Sequence, residues 1–294
     1  MEPQAIRTKR YVRHRFGKPA FLMQPRDYEI VRTVSEHRVI SSDDLQLLIP
    51  GSDQMILRRL QKLFHHGYLD RPKSQRELKN APMVYALGQQ GAELVARESG
   101  SRPSVDWSEK NRQMGRQHLE HALMASRFQT ALRHAAKIDQ AVDIERWQGD
   151  GTVRTSAHIE HEDGTERIPV APDAYFVLRV WDADAASRIH VFLEADRSTM
   201  TLARFVTKLR GYFAFWRSGQ AEEKFGMKNF LVVTTTTSKA RAEHLLEACR
   251  QVSDRGLRMF LFGTEADYQP ASRAVILDPI WRTPADDGQH SLLE

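Results

Sequence analysis

Hydrophobic positions first recur at helical spacing after Pro25, at Tyr28, Ile30, Val31 and Val34, and the pattern stops near His37. A second helix is expected after Ser41-Ser42, which offer an N-cap with Asp43 and Asp44 in the first turn, and it ends at Pro50-Gly51. Ser52-Asp53 opens a third, whose apolar stripe is Met55, Ile56, Leu60, Leu63 and Phe64, and Gly67 stops it. Two strand-like runs follow, Tyr68 to Arg71 and Met83 to Leu87, separated by the polar, basic stretch from Pro72 to Asn80. Gln89 to Glu98 reads as a closing helix. Three helices and then a basic hairpin is the order of a winged helix-turn-helix.

Periodicity is lost between Glu98 and Ser108, so the domain boundary is placed there. A long helix is expected from about Asn111 to Lys137, with His118 and His121 three apart on one face. Strands are expected over 141–147, 168–180 and 189–196, with a polar, turn-rich stretch from Gly149 to Thr165. A helix capped at Ser198 or Thr199 runs to about Arg217. Asn229 to Thr237 is a continuous apolar and β-branched run, as in a buried strand, followed by a helix over 238–252 and a strand over 257–263. The acidic tail from Thr283 is expected to be mobile. The resulting partition is a basic flexible arm over 1–21, a winged helix over 22–99, an α/β domain over 109–265 and a tail over 266–294.

Charge sharpens this picture. Residues 1–100 hold 17 Lys and Arg against 11 Asp and Glu, so the basic excess of the chain sits in its first third. That points to a polyanionic partner such as double-stranded DNA. Arg58, Arg59 and Lys62 lie off the apolar stripe of the third helix, and Arg71, Lys73 and Arg76 fall in the hairpin; all six are candidate DNA contacts. No apolar run approaches the roughly 20 residues of a membrane span. Cys249 is the one cysteine, which excludes an internal disulfide and a multi-cysteine zinc site, and a cytoplasmic location is expected.

Candidate chemistry lies in the second half. Pro172-Asp173 precedes a spacer of 20 residues and then Glu194-x-Asp196. Strand alternation puts Glu194 and Asp196 on one face. Two such acids and a third from the neighbouring strand would make a hard-oxygen site for Mg²⁺ or Mn²⁺. The element order α-β-β-β-α-β-α-β with acids on the second and third strands is that of a restriction-endonuclease-like, PD-(D/E)XK core. Asp196 stands where that motif has lysine. On the following helix Arg204, Lys208 and Tyr212 form a line four apart, so Lys208 can supply the missing cation and Tyr212 a phenol.

The basic winged helix, His118-Leu-Glu-His121, Pro172-Asp173-Ala-Tyr-Phe and Phe192-Leu-Glu194-Ala-Asp196-Arg197-Ser-Thr together resemble the plasmid replication-relaxation family, which includes the MOBC class of conjugative relaxases. The likeness covers roughly residues 22–263. It implies a DNA-binding winged helix joined to an endonuclease-like domain, which in some members nicks plasmid DNA at an origin of transfer and in others is described only in replication or transcription regulation. By motif Asp173, Glu194 and Asp196 are metal ligands, Lys208 is the helix-borne lysine, Tyr212 is a further catalytic group, and His118 and His121 are accessory. Tyr212 or a water would attack the phosphate. The alternatives are a non-catalytic regulator of plasmid replication or transcription, whose nuclease-like domain serves a homodimer or senses a ligand, and a pure interaction protein in a conjugation or replication complex.

Overall fold

The computed structural model describes residues 11–13, 21–78, 81–100, 107–149, 151–161, 164–182, 185–253, 257–269 and 275–294. Most of the basic arm, and Lys79 and Asn80 of the hairpin, lie outside these residues. The chain is a mixed α+β protein that divides into two compact units, Met1–Ser126 and Arg127–Glu294.

The first unit runs α1 (Pro25–Glu36), β1 (Ile40–Ser41), α2 (Ser42–Leu48), α3 (Asp53–His65), β2 (Leu69–Asp70), a 3-10 turn (Lys73–Glu77), β3 (Val84–Leu87), α4 (Gln89–Glu98) and α5 (Trp107–Arg112). The three helices and the antiparallel β2–β3 pair follow the expected order, and β1 adds a third strand on the other side of β3. Pro25 sits at the start of α1, where its missing N–H costs nothing, and the Ser41 hydroxyl accepts the Asp44 N–H at 3.1 Å to cap α2. Ile30, Val34, Leu45, Ile56, Leu60, Leu63 and Phe64 close one apolar core. Met55 departs from the expected stripe: it is 39% exposed.

The long helix expected from Asn111 is broken at Gln113–Gly115. Its main part is α6 (Arg116–Ile138), which crosses the division between the units. Met114, Leu119 and Leu123 pack with Val39, Val84 and Ala86, so this stretch belongs with the first unit and the division falls later than the boundary expected at 98–108.

The second unit continues with β4 (Val142–Gly149), β5 (Thr155–His161), β6 (Gly164–Val170), β7 (Ala174–Asp182), β8 (Ala185–Asp196), α7 (Leu202–Arg217), α8 (Gln220–Phe225), β9 (Leu231–Thr236), α9 (Lys239–Cys249), β10 (Phe260–Thr264), β11 (Trp281–Arg282) and β12 (Gln289–His290). Seven strands form one sheet in the order β12-β11-β10-β9-β8-β7-β4. β4, β7 and β8 are an antiparallel meander, while β8, β9 and β10 are parallel, joined through α7–α8 and α9. The expected order of helices and strands is present once the β5–β6 hairpin is set aside.

The hairpin's β5 and the start of β6 fall in the stretch from Gly149 to Thr165 that the sequence marks as polar and turn-rich. Ala157, Ile168 and Val170 are buried and their neighbours are largely polar, so the alternation is diluted. The hairpin covers α7 closely: a Cβ added at Gly211 would stand 2.8 Å from the Ile168 methyl. The strand expected over 168–180 is in fact two, because β6 ends at Val170 and β7 starts at Ala174, which leaves Asp173 in the connection. The mobile tail is also corrected. β11 and β12 extend the sheet, Trp281 is fully buried, its indole N–H donates to the Ile276 carbonyl at 3.0 Å, and Leu292 is fully buried.

Candidate functional site

β8 carries two of the candidate site residues, and its last residues alternate. Phe192, Glu194 and Asp196 point to the face covered by α7 and α9, where Phe192 packs against Tyr212 and Phe230. Ala174 pairs with Leu193, and the Asp173 N–H donates to the Leu193 carbonyl at 2.9 Å. Strand parity therefore puts Asp173 on the same face as Glu194. One Asp173 carboxylate oxygen accepts the Ala195 N–H at 2.8 Å, which fixes the side chain over β8.

Glu194 is 4% exposed, and its two oxygens are held from α7 by the Lys208 ammonium and the Tyr212 hydroxyl. Burial pushes its carboxyl up to about 7; the Lys208 charge opposes that rise and the Asp173 charge adds to it. Tyr212 is fully buried, and burial together with the Glu194 charge raises its phenol well above the usual value. The expected line on α7 thus brings Lys208 and Tyr212 onto Glu194 by i, i+4 geometry, while Arg204 of the same line is exposed.

Asp196 is engaged differently. Arg241 of α9 grips it with Nε at 2.8 Å and Nη2 at 3.1 Å, the Ser198 N–H donates to it at 3.1 Å, and the Thr236 hydroxyl reaches it at 3.1 Å. The second Arg241 nitrogen also donates to the Met200 carbonyl at 2.8 Å. The arginine therefore clamps the turn between β8 and α7, in which Ser198 adopts a left-handed φ of 60°. Helix α7 starts one residue beyond Thr201, whose side chain caps it, rather than at Ser198 or Thr199. Arg241 was missed by sequence reasoning. The one local signal is its position three residues beyond the Ser238 cap of α9.

Among the described residues no group of three His, Cys, Asp or Glu side chains is arranged to hold a metal. Asp196 does not fit the ligand role, since a guanidinium and two further donors already serve its oxygens. Asp173, which accepts one backbone N–H, and Glu194, once Lys208 and Tyr212 release its two oxygens, would offer a pair of hard oxygen donors, and Mg²⁺ commonly takes only one or two protein carboxylates beside water and phosphate. His118 is exposed and His121 half-buried on the part of α6 that belongs with the first unit, whereas the carboxylates belong to the second.

The candidate DNA contacts divide as well. Arg58, Lys73 and Arg76 are exposed and Lys62 is half-buried. Arg59 is a correction: it is 8% exposed, its guanidinium pairs with the fully buried Asp27 of α1, and it lies 5.0 Å over the Phe21 ring. Arg71 is half-buried, stacked over Phe64 at 4.2 Å and donating to the Tyr85 hydroxyl at 3.0 Å. Arg13 of the arm donates to the Phe64 and Leu69 carbonyls, each at 3.0 Å. No helix among the described residues is long and apolar enough to cross a membrane.

Among curated proteins and among solved structures nothing matches the chain. The model of the replication-relaxation family matches residues 31–230, about two thirds of the sequence, a span that includes α2 and α3, Asp173, the Glu194-x-Asp196 run and the whole of α7. The chain belongs to the replication-relaxation family, which ties it to the replication of plasmid or other mobile DNA.

Proposed function

We propose that this chain binds duplex DNA of a plasmid or other mobile element through a winged helix in its first unit, and nicks it at a restriction-endonuclease-like site built from Asp173, Glu194 and Lys208. The observation that carries the reading is the buried Glu194 carboxylate held by Lys208 beside Asp173 on one sheet face. The exposed Arg58, Lys73 and Arg76, with Lys62, would meet phosphates.

Bound Mg²⁺ or Mn²⁺ would supply Lewis-acid polarisation of the scissile phosphate. Asp173 and Glu194 would hold it. Lys208, released from Glu194, would donate to a non-bridging phosphate oxygen and stabilise charge gathering there. The nucleophile in this reading is water. Tyr212 has no solvent-exposed surface and its hydroxyl is committed to Glu194, so it acts as a positioning residue and not as the attacking group.

The test is incubation with supercoiled plasmid, with and without Mn²⁺. Open-circular product is expected only with the metal. Asp173→Ala and Lys208→Ala should each abolish it while duplex binding survives, and nicking that persists unchanged in Asp173→Ala rejects the site. The Asp196–Arg241 clamp favours a second reading, a non-catalytic DNA-binding regulator. Duplex binding by the native chain with no nicking in either metal would establish that alternative.

A further inference from the structure

A cleft of about 310 Å³ opens in the second unit, at the end of the sheet away from Asp196. Its apolar walls include Trp216, Phe230 and Met259, and its polar lining includes Asn229, Arg258 and His290. Trp216 is half-buried on α7, on the same line as Lys208 and Tyr212, four residues further on. Eight residues of helix separate it from Lys208, about 12 Å along the axis. Leu231, which also lines the cleft, lies level with Val191 of β8, while Glu194 is level with Thr234. That is about 10 Å along the sheet.

The polar groups have distinct states. The Trp216 indole N–H donates to the Asn229 carbonyl oxygen at 3.3 Å, which orients that amide at the rim. His290 is held on both ring nitrogens, by Asp286 at 2.7 Å and Glu294 at 2.9 Å, and these hydrogen bonds raise its pKa. It is a fixed wall, tied to Glu294 of the same lining. The Arg258 side chain is 82% exposed and only loosely paired with Asp286 at 3.6 Å, so it can turn to another anion.

We infer that this cleft binds the base of an unpaired nucleotide. The base would lie among Trp216, Phe230 and Met259, with its hydrogen-bonding edge on the Asn229 amide and its phosphate toward Arg258. Aromatic walls give sequence-tolerant affinity for any base, because every base has a π-face. The cleft volume is at the lower end of those that enclose small ligands, and suits one nucleotide rather than a duplex. The choice of ligand rests on the reading of the chain as a DNA-acting protein; the cleft does not depend on the Asp173–Glu194 site.

The experiment is calorimetric titration of the full chain with dAMP, dGMP, dCMP and dTMP, against deoxyribose 5-phosphate and inorganic phosphate as probes without a base. The four nucleotides should bind at least about tenfold more tightly than either base-free probe, the lower range of what one stacked base contributes. Asn229→Ala and Arg258→Ala, both at exposed positions, should each weaken nucleotide binding several-fold with unchanged thermal unfolding. Equal binding of phosphate alone, no binding of any nucleotide, or full binding in both variants overturns the inference. A parallel duplex-binding measurement separates the two failures. Duplex binding without nucleotide binding removes only the cleft assignment, and loss of both removes the DNA reading itself.

Discussion

Glu194 is a carboxyl that has lost its solvent and kept two donors. Burial outweighs the Lys208 charge and the Tyr212 hydroxyl, and the net effect moves its pKa from 4.5 to about 7. The folded protein thus holds the proton more tightly than the unfolded chain does. The corresponding stability is complete below about pH 4.5 and is lost as pH rises to about 7. Across that window wild type should lose up to about 3 kcal/mol relative to Glu194→Gln, which keeps a similar shape and does not titrate there. Urea unfolding of both proteins at several pH values checks this, and parallel stability curves would refute the raised pKa.

At the scale of the element, neighbouring positions on one helix have opposite duties. Arg58 and Arg59 of α3 look alike in sequence, and both fall off the apolar stripe. Arg59 is drawn inward because α1 presents a fully buried Asp27 to it. Removing one member of a buried pair strands the other, so Arg59→Ala should cost about 3–5 kcal/mol in chemical unfolding. Arg58→Ala should leave stability within about 0.5 kcal/mol, weaken duplex binding and reduce its salt slope by about one. Equal effects of the two variants on stability would contradict this division. The same contrast shows what a single chain can reveal. Glu194, Lys208 and Tyr212 were legible because strand alternation and i, i+4 spacing are local rules. The Arg59–Asp27 and Arg241–Asp196 pairs were not, since each joins elements whose packing no local pattern encodes. The β5–β6 hairpin was hidden by its polar face. β11 and β12 are two residues each, too short for any period to register.

Across the whole molecule, basic charge gathers in the first hundred residues and the Asp173, Glu194 and Lys208 cluster lies in the second unit. The proposed function assigns duplex binding to the first of these and nicking to the second. The sheet of the second unit has its own asymmetry. Its antiparallel β7–β8 pair joins strands adjacent along the chain, its β4–β7 pair is closed across the β5–β6 hairpin, and its parallel half requires helical crossovers.

The clamp between Arg241 and Asp196 has a kinetic consequence. Glu194 meets Lys208 and Tyr212 across separations of 14 and 18 residues, whereas Arg241 lies 45 residues from Asp196. Short loops close at lower entropic cost than long ones, and non-local contacts form late. The Glu194 cluster can therefore assemble with β8 and α7 before β9 and α9 have docked, and the arginine latches the finished sheet afterwards. A contact formed after the rate-limiting barrier slows escape from the native state without hastening arrival. Arg241→Ala should accordingly unfold faster in stopped-flow denaturant jumps while refolding at nearly the native rate; a variant slowed chiefly in refolding would place the latch inside the folding nucleus instead.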